Sequence, residues 1–254
     1  MNILVCVKQV PDPNNAYELV DGRLKRDVPQ NVLDPGDEFG VEAALQLADA
    51  SGGEVTVVSM GPERAMEAIR RALSMGAAKG ILVTDDSLVG ADALATAKVL
   101  AKCVERVSPD LVIASVESTD GYTGTVPATL AALLDYPQAT FAKSLEVDGQ
   151  TLRIQRQTEA GYDEVESPLP AVVTVTAGVN EPRYPTLKGI MQAKSKPVDQ
   201  LSLGDLGLDA GAVAPKQNIA AVNDAPERGA GEKIVDDGSG AAKIADFLAE
   251  AKVI

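Results

Sequence analysis

The 254-residue chain contains no histidine and no tryptophan, and aromatic residues make up only 3% of it. Without imidazole there is no Ser-His-Asp triad, no histidine general base and no histidine-ligated metal. Sparse aromatics leave few platforms on which nucleic-acid bases could stack. Cysteine is scarce too: Cys6 and Cys103 lie far apart in apolar stretches. They form neither a C-x-x-C pair nor a metal-ligand spacing, so they read as small buried apolar residues. No apolar run reaches the length of a membrane span, and the opening residues lack a basic segment followed by a cleavage site. A cytoplasmic chain without membrane insertion is the expectation. Lys and Arg number 23 against 37 Asp and Glu, a net charge of −14. Phosphate-backbone binding needs clustered cations, which excludes nucleic acid as a partner.

What is present is a core. Hydrophobic residues reach 45%, and over the first 180 residues short β-rich runs alternate with helical patterns. Residues 3–7 are continuously apolar, as in a buried parallel strand, and Pro11, Asp12, Pro13 and Asn14 end that run in a loop. Asp34-Pro35 is an N-cap signal for a helix stopped by Gly52-Gly53. Residues 54–59 and 80–83 read as strands, with a helix between them closed by Gly76. Residues 90–107 read as a long helix, 111–114 as a strand and 126–134 as a helix. Strand and helix in alternation, joined by short loops, predict a doubly wound, mostly parallel α/β sheet. From Leu145 a hairpin with an Asp148-Gly149 turn, then further extended segments, predict antiparallel edge strands. After Asn180 regularity fades until a short helix over 241–251, reached through Gly229-Ala230-Gly231-Glu232. The expected division is 1–180 as the α/β nucleotide-binding domain and 181–254 as an extended arm. Its apolar residues Leu187, Ile190, Met191, Leu201, Leu203 and Leu206 suit a partner's surface better than disorder.

Ligands of open parallel sheets bind beyond the carboxyl ends of the strands. The richest such segment is Ser115-Val116-Glu117-Ser118-Thr119-Asp120-Gly121-Tyr122-Thr123-Gly124. Small residues there let backbone N–H groups approach an anion, and the following helix N-terminus adds donors. It has neither GxGxxG nor a Walker lysine, so a phosphate cradle and a plain strand-to-helix turn both fit. Asp120 and Asp34 read as helix caps. Asp85-Asp86 reads as a solvated loop end rather than a metal site.

Several longer stretches are similar to one family. Residues 4–12 (LVCVKQVPD) resemble the opening strand of electron-transfer flavoprotein β subunits. Residues 59–63 (SMGPE) with 68–77 resemble that family's second βα unit, and 117–121 (ESTDG) its nucleotide loop. Residues 169–175 with 180–194 (NEPRYPTLKGIMQAK) are the most specific match. The resemblance spans essentially the whole chain.

It implies an adenine-nucleotide α-hydrolase-like sheet and an electron-carrier subunit rather than an enzyme. The chain would pair with an α subunit that holds most of the FAD, while its own ligand would be a structural AMP. By motif position the AMP contacts would be Cys6, Asp34, Met60 and the loop residues Ser115, Val116, Glu117, Ser118, Thr119, Asp120, Gly121, Tyr122 and Thr123. Asp34 stands where the family usually has Asn, and Glu117 and Tyr122 depart from its commoner Gln-x-x-Asp-Gly-Asp loop. Pro11, Asp12 and Pro35 would approach the isoalloxazine side. Leu187, with Ile190 and Met191, would dock on acyl-CoA or related dehydrogenases, with Lys194 and Lys196 steering acidic partners. The usual Leu-Pro-Asn is Leu187-Lys188-Gly189 here. Residues 181–254 would wrap the α subunit. Electrons from fatty acid oxidation would pass through a quinone-oxidoreductase-type acceptor to the respiratory chain. The alternatives are a bifurcating β subunit with a second FAD in place of AMP, and a stand-alone adenine-nucleotide-binding protein.

Overall fold

The computed structural model describes residues 1–222, 229, 231, 233 and 235–254. Ala230 and Glu232, in the run expected to lead into the last helix, lie outside them. The strands in chain order are β1 (Asn2–Cys6), β2 (Gln9–Pro11), β3 (Leu19–Val20), β4 (Arg23–Leu24), β5 (Asn31–Leu33), β6 (Glu54–Met60), β7 (Lys79–Val83) and β8 (Leu111–Ser115). They continue with β9 (Gln138–Asp148), β10 (Thr151–Thr158), β11 (Gly161–Pro168), β12 (Ala171–Val175) and β13 (Val198–Leu201). The helices are α1 (Pro35–Ser51), α2 (Met66–Met75), α3 (Ala93–Val107), α4 (Val126–Leu134), α5 (Leu187–Ala193) and α6 (Gly240–Glu250).

Among the described residues nine strands form one sheet in the order β11-β10-β9-β12-β8-β1-β6-β7-β13. From β9 to β13 every neighbouring pair is parallel, and the β9-β10-β11 end is antiparallel. The expected α/β sheet with antiparallel edge strands is what forms. The central strands are mostly apolar because both faces are covered. Ile3, Val5 and Val57 pack with α1 and α2 residues such as Val41, Leu45, Ile69 and Leu73. Leu4, Val58 and Val112 pack on the other face with α3 and α4 residues such as Val99, Val104 and Leu130. From β1 the chain builds outward through β6 and β7, and α3 then returns it to β8 on the opposite side of β1. That reversal puts the switch point between β1 and β8.

Local chemistry fixes the helix ends that matter. Asp34 caps α1 by accepting from Gly36 N at 2.9 Å, Pro35 opens the helix, and Gly52 closes it in the left-handed conformation. Asp92 caps α3 through Ala95 N at 2.8 Å.

Three expectations are corrected. Pro11, read as the start of a loop, instead ends β2, which pairs with β5 as a short ribbon that tolerates it. β9 starts at Gln138 rather than near Leu145: its first half runs parallel to β12 and its second half antiparallel to β10, with a register shift at the change. Phe141, at φ 59°, sits at that irregularity. The boundary at 180 also moves. The first compact unit runs from Met1 to Ala220 and the second from Ala221 to Ile254. Residues 198–201 join the main sheet beside β7, and Leu201, Leu203, Leu206 and Val213 are buried in this chain's own core. Those leucines are therefore not partner-facing. The segment looked irregular because its apolar residues belong to one four-residue strand and a single turn after it.

In the second unit α6 begins one residue before the expected helix, behind Asp236, which accepts from Gly240 N at 3.1 Å. Ile244 and Phe247 on α6 are exposed. No described helix is long and apolar enough to cross a membrane.

Candidate functional site

The carboxyl ends of β1 and β8, the start of α1, and the loop from β8 to α4 meet at the switch point, and β6 ends beside β1. Cys6, Met60 and Ser115 are the last residues of their strands. Asp34 is fully buried. Besides capping α1, its second oxygen accepts from Thr119 N at 2.7 Å and Thr119 Oγ1 at 3.1 Å. One carboxylate thus ties the loop to the helix start, and the expected helix cap at Asp34 forms with a second partner added. Gly36 allows this closeness: a Cβ there would lie 3.2 Å from Ser115 Cβ.

Asp120 does something other than expected. It does not cap α4, whose N-cap Thr125 makes no side-chain cap bond. Its side chain is fully buried and binds Lys8 Nζ at 2.6 Å and Arg26 Nε at 2.5 Å. Burial alone would raise its pKa, but Lys8 and Arg26 outweigh burial and hold the carboxyl below the usual range. Lys8 Nζ also donates to Ser118 Oγ at 3.2 Å. The loop then turns on Ser118 O, which accepts from Gly121 N and Tyr122 N. Tyr122 is exposed and adopts the left-handed conformation at φ 47°, rare for a bulky residue. Tyr17 reaches over to donate its hydroxyl to Thr119 O at 3.1 Å.

Beneath the loop, Asp37 accepts from Lys8 N at 2.8 Å and is joined to Ser115 Oγ at 2.6 Å. Burial, then the neighbouring Asp34 carboxylate, pushes its pKa up to about 8 against the pull of Ser115 and Lys8. The Cys6 thiol is pushed up to about 12, by burial and then by Asp37, so it is not a poised thiolate. Ser59, one residue before Met60, is buried with an unpaired hydroxyl.

The structure therefore puts Cys6, Met60 and Ser115 at the carboxyl ends of three strands and ties Asp34 to the loop of residues 115–123 through Thr119. Val116, Ser118, Thr119 and Asp120 are half-buried within the loop; Glu117, Gly121, Tyr122 and Thr123 face solvent. Lys8, Arg26 and Asp37 were missed as site residues. The strand-then-helix pattern did put Lys8 and Asp37 at the sheet's carboxyl edge. Arg26 pairs with a residue 94 positions away and carries no local signal. Asp85 is a loop end held by Ser87 N at 3.0 Å and Leu203 N at 3.3 Å. Among the described residues no acidic or cysteine cluster is placed to hold a metal.

On the α2 side of the molecule, α5 carries Leu187, Ile190 and Met191, exposed by 75%, 49% and 67%, with Tyr184 at 87%. These residues form an apolar patch, unlike the three buried leucines that follow. Lys196 is no steering charge. Its ammonium is taken up by Leu73 O at 2.8 Å and Ala77 O at 2.6 Å.

Fold and crevice together define a doubly wound α/β protein whose polar residues converge on the switch point of its sheet. A family model for the electron transfer flavoprotein domain matches residues 22–206. The chain is 41% identical over 264 residues to the electron transfer flavoprotein subunit beta of Mycobacterium tuberculosis, spanning 100% of this chain and 99% of that one. The subunit beta of Bacillus subtilis is 34% identical over the whole of both chains. That of Clostridium acetobutylicum is 39% identical over 82% of this chain and 81% of its own. The chain belongs to the electron transfer flavoprotein β-subunit family.

Proposed function

We propose that this chain is the non-enzymatic half of a cytoplasmic heterodimeric electron carrier, burying AMP in the switch-point crevice and walling an FAD held mainly by an α subunit. The observation that carries this reading is the loop from β8 to α4 at the sheet's carboxyl edge. The loop offers small residues at Ser115, Ser118, Thr119, Gly121 and Thr123, two cations lie beside it, and the N-terminus of α4 has no side-chain cap. Free first-turn N–H groups with a positive dipole end suit a phosphate. In this reading the backbone of residues 117–123 and the first turn of α4 hold the phosphate, with Lys8 and Arg26 offsetting its charge. Cys6 and Met60 line the base side, and Asp34 keeps the loop in register. When bound, FAD supplies the carrier's redox chemistry. This chain supplies shape, through the loops around Pro11, Asp12 and Pro35, and keeps water from one side of the pocket.

The exposed patch on α5 is the docking element for acyl-CoA or related dehydrogenases. One leucine filling a partner's pocket contributes about 1.5–3 kcal/mol, which suits a brief encounter. Residues 221–254 wrap the α subunit, with Ile244 and Phe247 of α6 as apolar contacts. A quinone-oxidoreductase-type acceptor then passes the electrons to the respiratory chain.

Co-expression with an α subunit, followed by nucleotide release and quantification, tests the reading. One FAD and one AMP per heterodimer is the expected result. Two FAD and no AMP would establish the bifurcating alternative instead, and a colourless monomer would leave only a stand-alone nucleotide-binding protein.

A further inference from the structure

The apolar patch sits on a helix that should not be stable by itself. α5 has seven residues, shorter than isolated helices need in water. Its apolar side chains point away from the protein, and Ala193 is its one buried residue. Burial therefore does little to hold it. What holds it is polar. Arg70, on α2, donates from Nη1 to Ala193 O at 2.6 Å and to Lys196 O at 2.8 Å. Lys196, just past α5, donates to Leu73 O and Ala77 O at the end of α2. Helix C-termini carry unsatisfied carbonyls and a partial negative charge. Each of these two helices has its carbonyl end closed by a cation from the other.

The leading end is fixed as well. Arg183 Nε donates to the buried Glu42 carboxylate on α1 at 2.8 Å. Thr186 caps α5 by accepting from Gly189 N at 3.0 Å. Gly189 is needed for the fit, since a Cβ there would fall 2.5 Å from Ser74 O.

We propose that Arg70 and Lys196 are positioning residues for docking: their reciprocal cap holds α5 folded before any partner arrives, so that Leu187 is presented on a preformed surface. The inference rests on the docking role assigned to α5 above. A preformed anchor avoids the ordering cost that a folding-on-contact segment would meet at each encounter. Arg70 and Lys196 need not touch the partner to set its affinity.

The test compares Arg70→Met, Lys196→Met and Leu187→Ala in the co-expressed heterodimer, with an acyl-CoA dehydrogenase as the probe donor. Two quantities are read: hydrogen exchange of the amides in residues 187–193, and the KM and kcat for the carrier. Arg70→Met and Lys196→Met should each speed exchange in α5 by about tenfold or more, as charge-assisted bonds are lost. Both should raise KM, with the effect on KM exceeding that on kcat. Arg70→Lys should restore part of the protection. Leu187→Ala should raise KM and leave exchange at the wild-type rate. Wild-type exchange in both methionine variants would overturn the clamp. Faster exchange in the two methionine variants, with a wild-type KM in all three, would instead sink the docking role of α5 while the clamp stood. Should one methionine variant fail to fold, the other carries the same reading, because each closes the carbonyl end of a different helix.

Discussion

Asp37 is 4% exposed, and both of its oxygens are in use. One accepts from Lys8 N–H, so when the carboxyl is protonated its proton lies on the oxygen facing Ser115. Ser115 then passes its own hydrogen to Glu117 O, 3.1 Å away. An amide fits the same pattern, its oxygen toward Lys8 N–H and its nitrogen toward Ser115. Asp37→Asn therefore keeps every hydrogen bond and removes the titration. The carboxyl titrates near 3.8 when unfolded and at about 8 when folded. Between those values the unfolded chain has lost the proton that the folded chain retains. Stability must then fall as pH rises through this window, and the loss levels off above about 8. The slope for one site is about 1.4 kcal/mol per pH unit. Integration gives roughly 5–6 kcal/mol, and relaxation around a buried charge reduces this to about 2–5 kcal/mol. Asp37→Asn should match the wild type near pH 4 and exceed it by that amount at pH 8. Urea midpoints followed by far-UV circular dichroism at pH 4.5, 6 and 8 measure the gap, since the chain has no tryptophan to report. A gap that stays constant with pH, or a variant weaker at pH 8, refutes the reasoning.

Asp120→Asn should behave in the opposite sense. Its lowered pKa contributes stability above the unfolded value that is lost as pH falls through the folded one, so the variant should be weaker at pH 7 by about 1–3 kcal/mol and less acid-sensitive. The lower end is expected, because Lys8 and Arg26 are 39% and 45% exposed and can rehydrate. Gly80→Ala places a methyl 2.5 Å from Ile69 Cγ2 and should cost about 1–3 kcal/mol by overpacking, read as a lower urea midpoint. Leu73→Ala, at a fully buried position between α2 and the sheet, should cost about 2–5 kcal/mol in the same assay. Leu187→Ala should change stability by no more than about 0.5 kcal/mol in the same assay.

The parallel sheet was readable because its strands are short, mostly apolar runs set between helices with clear start and stop signals. Asp34-Pro35 before α1 and Gly76 after α2 marked boundaries that the structure keeps. β9 was not readable in full. Gln138-Ala139-Thr140 has no β-branched run, and the kink at Phe141 breaks the alternation on which a strand is recognised. Leu201, Leu203 and Leu206 were assigned outward because a four-residue strand carries too little periodicity to declare a face. The crevice was half legible. Glycines and small residues announced the loop, but its charges are arranged by pairs such as Lys8 with Asp120, 112 residues apart. No local pattern distinguishes such a pair from a solvated charge.

The place of β13 beside β7 also has a consequence in time. β7 is complete at Val83, yet the strand that covers its outer edge begins at Val198, about 115 residues later. At a synthesis rate of about 5–20 residues per second, the edge waits roughly 6–23 s on the ribosome. Throughout that interval the nascent chain offers a hydrophobic strand with free backbone donors and acceptors, the kind of template that invites pairing with a neighbour. Chains that stop before Leu201 keep it permanently.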